Sequence, residues 1–182
     1  LDLIAYLCVR GIVVSVGHSN ATYAEALAAF RSGVSWGTHL FNAMSPFAHR
    51  EPGLAGALLS SDVPCGLIVD GVHVDPAAVD TAWRAKGSRG LTLVTDAMSA
   101  MGMPPGRYSL GERSVLADAT SARLDNGTLA GSVLQMDLAI RNMIAYTGCS
   151  LSEAIAMAST TPARVVGVED RKGQIAPSFD AD

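Results

Sequence analysis

Four short runs of apolar, β-branched residues constrain the fold of this chain more than any other feature of its sequence. The runs are residues 12–17, 34–38, 65–69 and 91–95. Their apolar residues are continuous, which is typical of strands covered on both faces, as in a parallel sheet. The segments between the runs carry helix signals, and strands that alternate with helices form βα units. The sequence therefore predicts an α/β fold built on a parallel sheet.

Capping signals delimit the helices between these runs. Thr22 and Glu25 have the spacing of a capping box and predict a helix that starts directly after Thr22. Asp75 followed by Pro76 indicates the start of another helix, which we expect to end at Gly87. A loop is predicted over residues 45–53, with a short helix over residues 54–59.

The pattern changes after the fourth run. Residues 102–131 are rich in glycine and proline, and Asn126-Gly127 predicts a hairpin turn. Ser132 is expected to cap a long helix over residues 133–146. Shorter helices are expected over residues 150–159 and from Thr161 onwards.

Composition excludes several classes of partner. The chain has 13 basic and 17 acidic residues, which argues against a nucleic-acid or anionic membrane surface. No apolar run approaches the roughly 20 residues of a membrane helix, and no signal pattern precedes the first helix, so we expect a cytoplasmic protein. The three cysteines are widely spaced among apolar residues, and we expect them to be buried, reduced thiols.

Polar side chains stand at the end of each predicted strand. His18 ends the first, His39 the second, Asp70 with nearby His73 the third, and Asp96 the fourth. In α/β folds, ligands meet the carboxyl ends of the strands. Two imidazoles on neighbouring strands can bind one Zn²⁺, and a carboxylate beside them can accept a proton from water. The presence of these polar side chains at the ends of four successive strands therefore favours a metal-dependent hydrolase.

Each of these residues also has a structural interpretation. A single histidine at a strand end is more often a hydrogen-bonded structural residue than a metal ligand. Asp96 can cap a helix, and Arg50 can pair with Glu51 in a solvated loop. Both interpretations remain open from the pattern alone.

Six sequence motifs add a resemblance to a known family. They are residues 17–21 (GHSNA), 38–44 (THLFNAM), 50–56 (REPGLAG), 70–74 (DGVHV), 95–97 (TDA) and 129–132 (LAGS). In this order the chain resembles the N-acetylglucosamine-6-phosphate deacetylases of the amidohydrolase superfamily. The resemblance implies hydrolysis of the acetamide of N-acetyl-D-glucosamine 6-phosphate, in amino-sugar catabolism.

The resemblance also implies roles for residues at the strand ends. His18 and His39 match the histidines that bind a divalent metal, which we expect to be zinc, with iron, cobalt or manganese as alternatives. Asp96 matches the general base that later acts as general acid. His73 matches a position that contacts substrate, where we also expect it to polarise the acetyl oxygen.

The remaining matched positions bind the substrate. Asn42, Ala43 and Arg50 match residues that hold the sugar phosphate, together with His73. Gly131 and Ser132 belong to a segment expected to lie over the sugar or the acetyl group. Members of this family form homodimers, so the partner subunit can supply part of these contacts.

The chain departs from the family pattern at its start. The family has a metal-binding glutamate on the fourth strand, and many superfamily members have a His-x-His after the first; neither occurs here. The four strands therefore match the fifth to eighth strands of a (β/α)8 TIM-type barrel. We expect residues 1–171 to be the C-terminal half of that barrel, and residues 172–182 the start of a truncated return to a small β domain.

A fragment of this kind is expected to be inactive by itself. Without the glutamate ligand, residues 1–182 should bind metal poorly and release no acetate from the sugar phosphate. Open strand edges should also favour aggregation. Robust deacetylation by these residues alone would contradict this prediction.

Two rival functions stay open. Another amidohydrolase, such as a cyclic-amide hydrolase or an amino-acid deacetylase, would share His18, His39 and Asp96. A non-catalytic sugar-phosphate-binding domain would share the fold without the reaction. Neither the cyclic-amide hydrolases nor the amino-acid deacetylases explain the Arg50 loop and His73.

Overall fold

A four-stranded parallel sheet forms the centre of the molecule. The computed structural model describes residues 2–181; the outermost residues of the two predicted domains, Leu1 and Asp182, lie outside the described residues. The strands are β1 (Val14–Val16), β2 (Val34–Gly37), β3 (Cys65–Leu67) and β4 (Leu91–Leu93). They lie in the order β1-β2-β3-β4, and each neighbouring pair is parallel. The predicted α/β fold with a parallel sheet is confirmed.

The helices in this half of the chain are α1 (Asp2–Cys8), α2 (Tyr23–Arg31), α3 (Gly53–Leu59) and α4 (Pro76–Gly90). The capping box ahead of α2 is present, with Thr22 accepting from the amide of Glu25 and the Glu25 carboxylate accepting from the amide of Thr22. The Asp75 carboxylate accepts from the amide of Ala77 at the start of α4. The helical backbone of α4 breaks at Gly87, where φ is 60°. The sequence does not predict α1.

Helices α5 (Met136–Thr147), α6 (Leu151–Ala158) and α7 (Thr160–Val165) follow. The prediction that Ser132 caps α5 is wrong, because Gln135 occupies that position. Ser132 is instead completely buried, and its hydroxyl donates to the carbonyl of Thr95. The end of α5 is as predicted: Gly148 adopts a left-handed conformation with φ of 69°.

A second, antiparallel sheet follows β4. It consists of β5 (Gly106–Leu110), β6 (Arg113–Ala117) and β7 (Ala122–Leu124), in that order. The turn at Asn126-Gly127 is confirmed by hydrogen bonds between Leu124 and Thr128 and from Gly127 to Leu124. Strands β5 and β6 were not expected, although the two-residue Gly111-Glu112 link between them is a hairpin signal.

The parallel sheet and its helices share one hydrophobic core. Leu54 and Leu58 of α3, Leu67 of β3 and Val79 of α4 are all completely buried in it. Burial of each side chain of this size stabilises the folded state by about 1.5–3 kcal/mol. The well-packed sheet therefore holds the residues beyond its strand ends in fixed positions.

The cysteines are free within residues 2–181. Cys65 and Cys149 are buried and Cys8 is half-buried. Burial raises the pKa of the Cys65 thiol to about 12, so this group stays a protonated thiol at neutral pH. Along the same residues, none of the helices combines the length and apolar character that crossing a bilayer requires.

Candidate active site

Backbone hydrogen bonds extend the parallel ladder past the ends of the strands. The amide of Thr38 donates to Val16 at 2.8 Å, and the amide of Leu40 donates to Gly66 at 2.8 Å. The amide of Val94 donates to Leu67 at 3.1 Å. The polar residues that follow the strands are therefore brought to one edge of the sheet in a defined register.

His18 and His39 meet at this edge. Their Nε2 atoms are 2.9 Å apart, and the two rings are inclined at 69° with centroids 4.7 Å apart. His39 is 7% exposed, and its Nδ1 has no hydrogen-bond partner within residues 2–181. Two facing Nε2 atoms are suited to sharing either one proton or one cation.

The backbone at the strand ends adopts an uncommon conformation. His18, His39 and Asp96 have positive φ angles of 47°, 24° and 49°. Phe41 and Ala43, just beyond β2, also have positive φ. Non-glycine residues rarely adopt this region, and such strain is concentrated at functional sites. The chain thus turns sharply after β1, β2 and β4 at the residue that carries the candidate side chain.

A cavity of about 740 Å³ lies over these strand ends. It brings together seven of the residues proposed from the sequence. They are His18, His39, Asn42, Ala43, His73, Asp96 and Gly131. The sequence interval between the first and last of them exceeds one hundred residues, so the tertiary fold alone creates the site.

His73 is held by Asp70 at the end of β3. The Nδ1 of His73 lies 2.6 Å from Oδ2 of Asp70, and both side chains are 6% exposed. Burial acts to raise the pKa of Asp70. Hydrogen bonds from the ring and amide of His73 and from the amide of Val72 together outweigh this effect, so the pKa of Asp70 lies below its usual value. Asp70 is therefore a carboxylate at neutral pH.

A family model matches almost the whole chain. It describes the amidohydrolase family and covers residues 9–182. The chain belongs to the amidohydrolase family. Amidohydrolases are in general metal-dependent.

Individual proteins similar to this amidohydrolase chain carry enzyme names, which are more specific than the family name. An N-acetylglucosamine-6-phosphate deacetylase of Lysinibacillus sphaericus is 46% identical over 173 residues, which cover 94% of this chain and 44% of that protein. The crystal structure of N-acetylglucosamine-6-phosphate deacetylase from Pasteurella multocida matches with a TM-score of 0.95 and 37% identity, over 99% of this chain and 48% of that one. A mutant of the Mycobacterium smegmatis enzyme, in complex with N-acetyl-D-glucosamine-6-phosphate, matches with a TM-score of 0.88 and 42% identity, over 92% and 45%. The chain thus spans less than half of these relatives.

Two residues proposed for the site do not line the cavity of this amidohydrolase chain. Arg50 is exposed in the loop before α3. Ser132 lies behind the cavity wall, where its amide donates to the carbonyl of Asp96 at 2.7 Å and its hydroxyl accepts from the amide of Leu134. Ser132 therefore anchors the backbone of Asp96.

The antiparallel sheet contributes a wall that the sequence interpretation missed. Leu110, Arg113 and Leu124 line the cavity from this sheet, and Thr128 lines it from the turn that follows. The role of Asp70 was also missed, although an aspartate three residues before a histidine at a strand end is a local signal for such a pair. The Gly111-Glu112 link was the available signal for the sheet.

The amidohydrolase site contains fewer metal ligands than a complete centre requires. Across residues 2–181, no group of three or more His, Cys, Asp or Glu side chains is arranged to hold a metal ion. The two facing Nε2 atoms of His18 and His39 fit two ligands of one ion. Two imidazoles are fewer than the three protein ligands that are typical of a catalytic zinc site.

Proposed function

We propose that the protein carrying this chain hydrolyses the acetamide of N-acetyl-D-glucosamine 6-phosphate to glucosamine 6-phosphate and acetate. The observation that carries the proposal is the contact between His18 and His39 in the same cavity as Asp96. The names of the relatives support the substrate, and the sugar-phosphate complex of the Mycobacterium smegmatis enzyme supports its class.

His18 and His39 would hold a divalent cation, which we expect to be zinc, with iron, cobalt or manganese as alternatives. Their facing Nε2 atoms support this assignment. A bound cation of this kind supplies Lewis acidity towards a carbonyl oxygen and lowers the pKa of water.

Asp96 would move the proton. In the proposed reaction its carboxylate accepts a proton from the attacking water as the new carbon–oxygen bond forms. It then gives that proton to the amine nitrogen as the carbon–nitrogen bond breaks, so that acetate and the free amine leave. The expected polarisation of the acetyl oxygen would be supplied by the cation, and His73 would accept a hydrogen bond from a substrate hydroxyl through Nε2.

The other residues would bind the sugar phosphate. Asn42 and Ala43 line the cavity beside the histidine pair, which supports a contact from the backbone amide of Ala43. The amide of Asn42 donates to the carbonyl of His39 at 3.0 Å. Gly131 also lines the cavity, and the next residue, Ser132, is completely buried. Arg50 is exposed outside the cavity, which supports a contact with the phosphate in the active site of the partner subunit of a homodimer.

We also propose that the four strands are the fifth to eighth of a (β/α)8 barrel. In this proposal residues 1–171 form the C-terminal half of the barrel and residues 172–182 begin the return to a small β domain. An apolar cavity of about 420 Å³, lined by Trp36 and Val94 of the sheet and Val165 of α7, supports packing of further strands. A cytoplasmic location belongs to the same proposal.

Acetate release from matched substrates tests the function. For the complete protein we expect the highest kcat/KM with N-acetylglucosamine 6-phosphate, a lower value with N-acetylglucosamine, and little activity with N-acetyl amino acids or cyclic amides. Preference for either of the last two would assign the protein to another amidohydrolase. Binding of the sugar phosphate with no acetate release would instead indicate a non-catalytic domain.

Replacing Arg50 with Ala tests the phosphate contact. A hydrogen bond to a charged group contributes about 1.5–3 kcal/mol, so KM for the phosphorylated substrate should rise about 10- to 100-fold. KM for the unphosphorylated sugar should change little. Arg84→Ala is the control, because Arg84 is exposed on α4 and pairs with Asp80. An equal effect of Arg50→Ala on both substrates would exclude a specific phosphate contact.

A further inference from the structure

We propose that Asp70 is the positioning residue for His73, and that it fixes which ring nitrogen faces the substrate. The inference rests on the proposed function and deepens it, because it concerns how one side of the same cavity is arranged. It starts from a contact that the reaction described above does not use.

The carboxylate of Asp70 is itself held in place. Its Oδ1 accepts from the amide of Val72 at 2.8 Å and from the amide of His73 at 2.7 Å. Its other oxygen, Oδ2, is left to face Nδ1 of His73 at 2.6 Å. One carboxylate oxygen therefore binds the backbone and the other binds the imidazole, so the side chain has little freedom to rotate.

This arrangement selects one tautomer of His73. An ionised carboxylate can only accept, so Nδ1 of His73 must carry a proton. Because His73 lines the cavity and Nδ1 is occupied, Nε2 is the ring nitrogen available to a molecule bound there. A carboxylate behind a histidine is a common way to fix the tautomer and orientation of the ring.

The two backbone donors make Asp70→Asn a sharp test. In this variant the amide oxygen should stay on the amides of Val72 and His73, because only an oxygen can accept from them. The NH₂ group must then face Nδ1, which becomes an acceptor, and the proton moves to Nε2. The substitution thus reverses the tautomer of His73 with almost no change in volume.

The matched control is Asp118→Asn. The carboxylate of Asp118 also accepts from two backbone amides, those of Thr120 and Ser121, both at 2.8 Å. It has the same local turn geometry but no histidine partner among the described residues, and it does not line the cavity. Loss of a carboxylate from such a turn is therefore measured separately from loss of the histidine contact.

Nitrogen NMR of ¹⁵N-histidine-labelled complete protein reads the tautomer directly, with His73 assigned by the signals lost in His73→Gln. We expect a protonated Nδ1 in the wild type and in Asp118→Asn, and a protonated Nε2 with a bare Nδ1 in Asp70→Asn. A wild-type His73 with a bare Nδ1 would overturn the proposal, and this outcome is read on the wild-type protein once its signals have been assigned.

Kinetics decide whether the orientation matters. We expect kcat/KM of Asp70→Asn to fall about 10- to 100-fold, the usual cost of losing such a partner, with an unchanged melting temperature. Asp118→Asn should be near the wild type. Reversal of the tautomer with full activity would overturn the positioning role. If the wild-type protein released no acetate, the proposed function would fail, while the NMR result would still decide how Asp70 holds His73.

Discussion

Replacing Asp96 with Asn in the complete protein is expected to lower kcat by about 100- to 10 000-fold, the contribution of a positioned general acid–base group. An amide cannot accept the proton of the attacking water or return it to the amine. Asparagine tolerates positive φ well, so the backbone at this position, with φ of 49°, should not rearrange. The bond from the amide of Ser132 to the carbonyl of residue 96 should also persist.

Acetate release under saturating substrate measures this effect, and elemental analysis should find the metal content unchanged. Asp125→Asn is a suitable control, because Asp125 is an exposed residue paired with Arg107 on the antiparallel sheet. A rate near that of the wild type for Asp96→Asn would refute the assigned role. Loss of the metal together with activity would make Asp96 a ligand.

Replacing His39 with Ala should remove most of the bound metal. Loss of an outer partner of a metal ligand commonly costs about 10- to 100-fold in affinity, and loss of the ligand itself should cost more. His39 is buried and its Nε2 faces that of His18, so the variant would leave His18 without the second imidazole of the pair. Deacetylation should fall with metal content and should not recover when the metal concentration is moderately raised.

Metal content after dialysis and a titration of activity against zinc measure this effect. His49→Ala is the matched control, because His49 is exposed in the loop before α3. Full metal occupancy in His39→Ala would remove the basis of the proposed metal site. A loss of metal from both variants would indicate general destabilisation.

Local signals predicted most of the parallel half of the fold. The capping box at Thr22, the Asp75-Pro76 start of α4 and the Gly148 end of α5 all occur as expected. These signals depend on hydrogen bonds that span only a few residues, so the sequence contains them completely.

The errors arose where tertiary contacts compete with local ones. Ser132 has the residue type of a helix cap, but its hydroxyl bonds to Thr95, more than thirty residues earlier. That contact ties it to the end of β4, and the helix begins later. Strands β5 and β6 were missed because residues 102–131 are rich in glycine and proline, which is typical of loops. The link between the two strands consists of only Gly111 and Glu112.

The order of the strands and helices of the parallel half, the polar residue after each of its strands, and the family all follow from the amino-acid sequence alone. Which of those polar residues meet depends on how the strands are packed in three dimensions. This packing brought the rings of His18 and His39 into contact, paired Asp70 with His73, and left Arg50 outside the cavity. Periodicity and capping act over a few residues, whereas the meeting of distant side chains depends on the register of the parallel ladder and on the sharp turns after β1, β2 and β4.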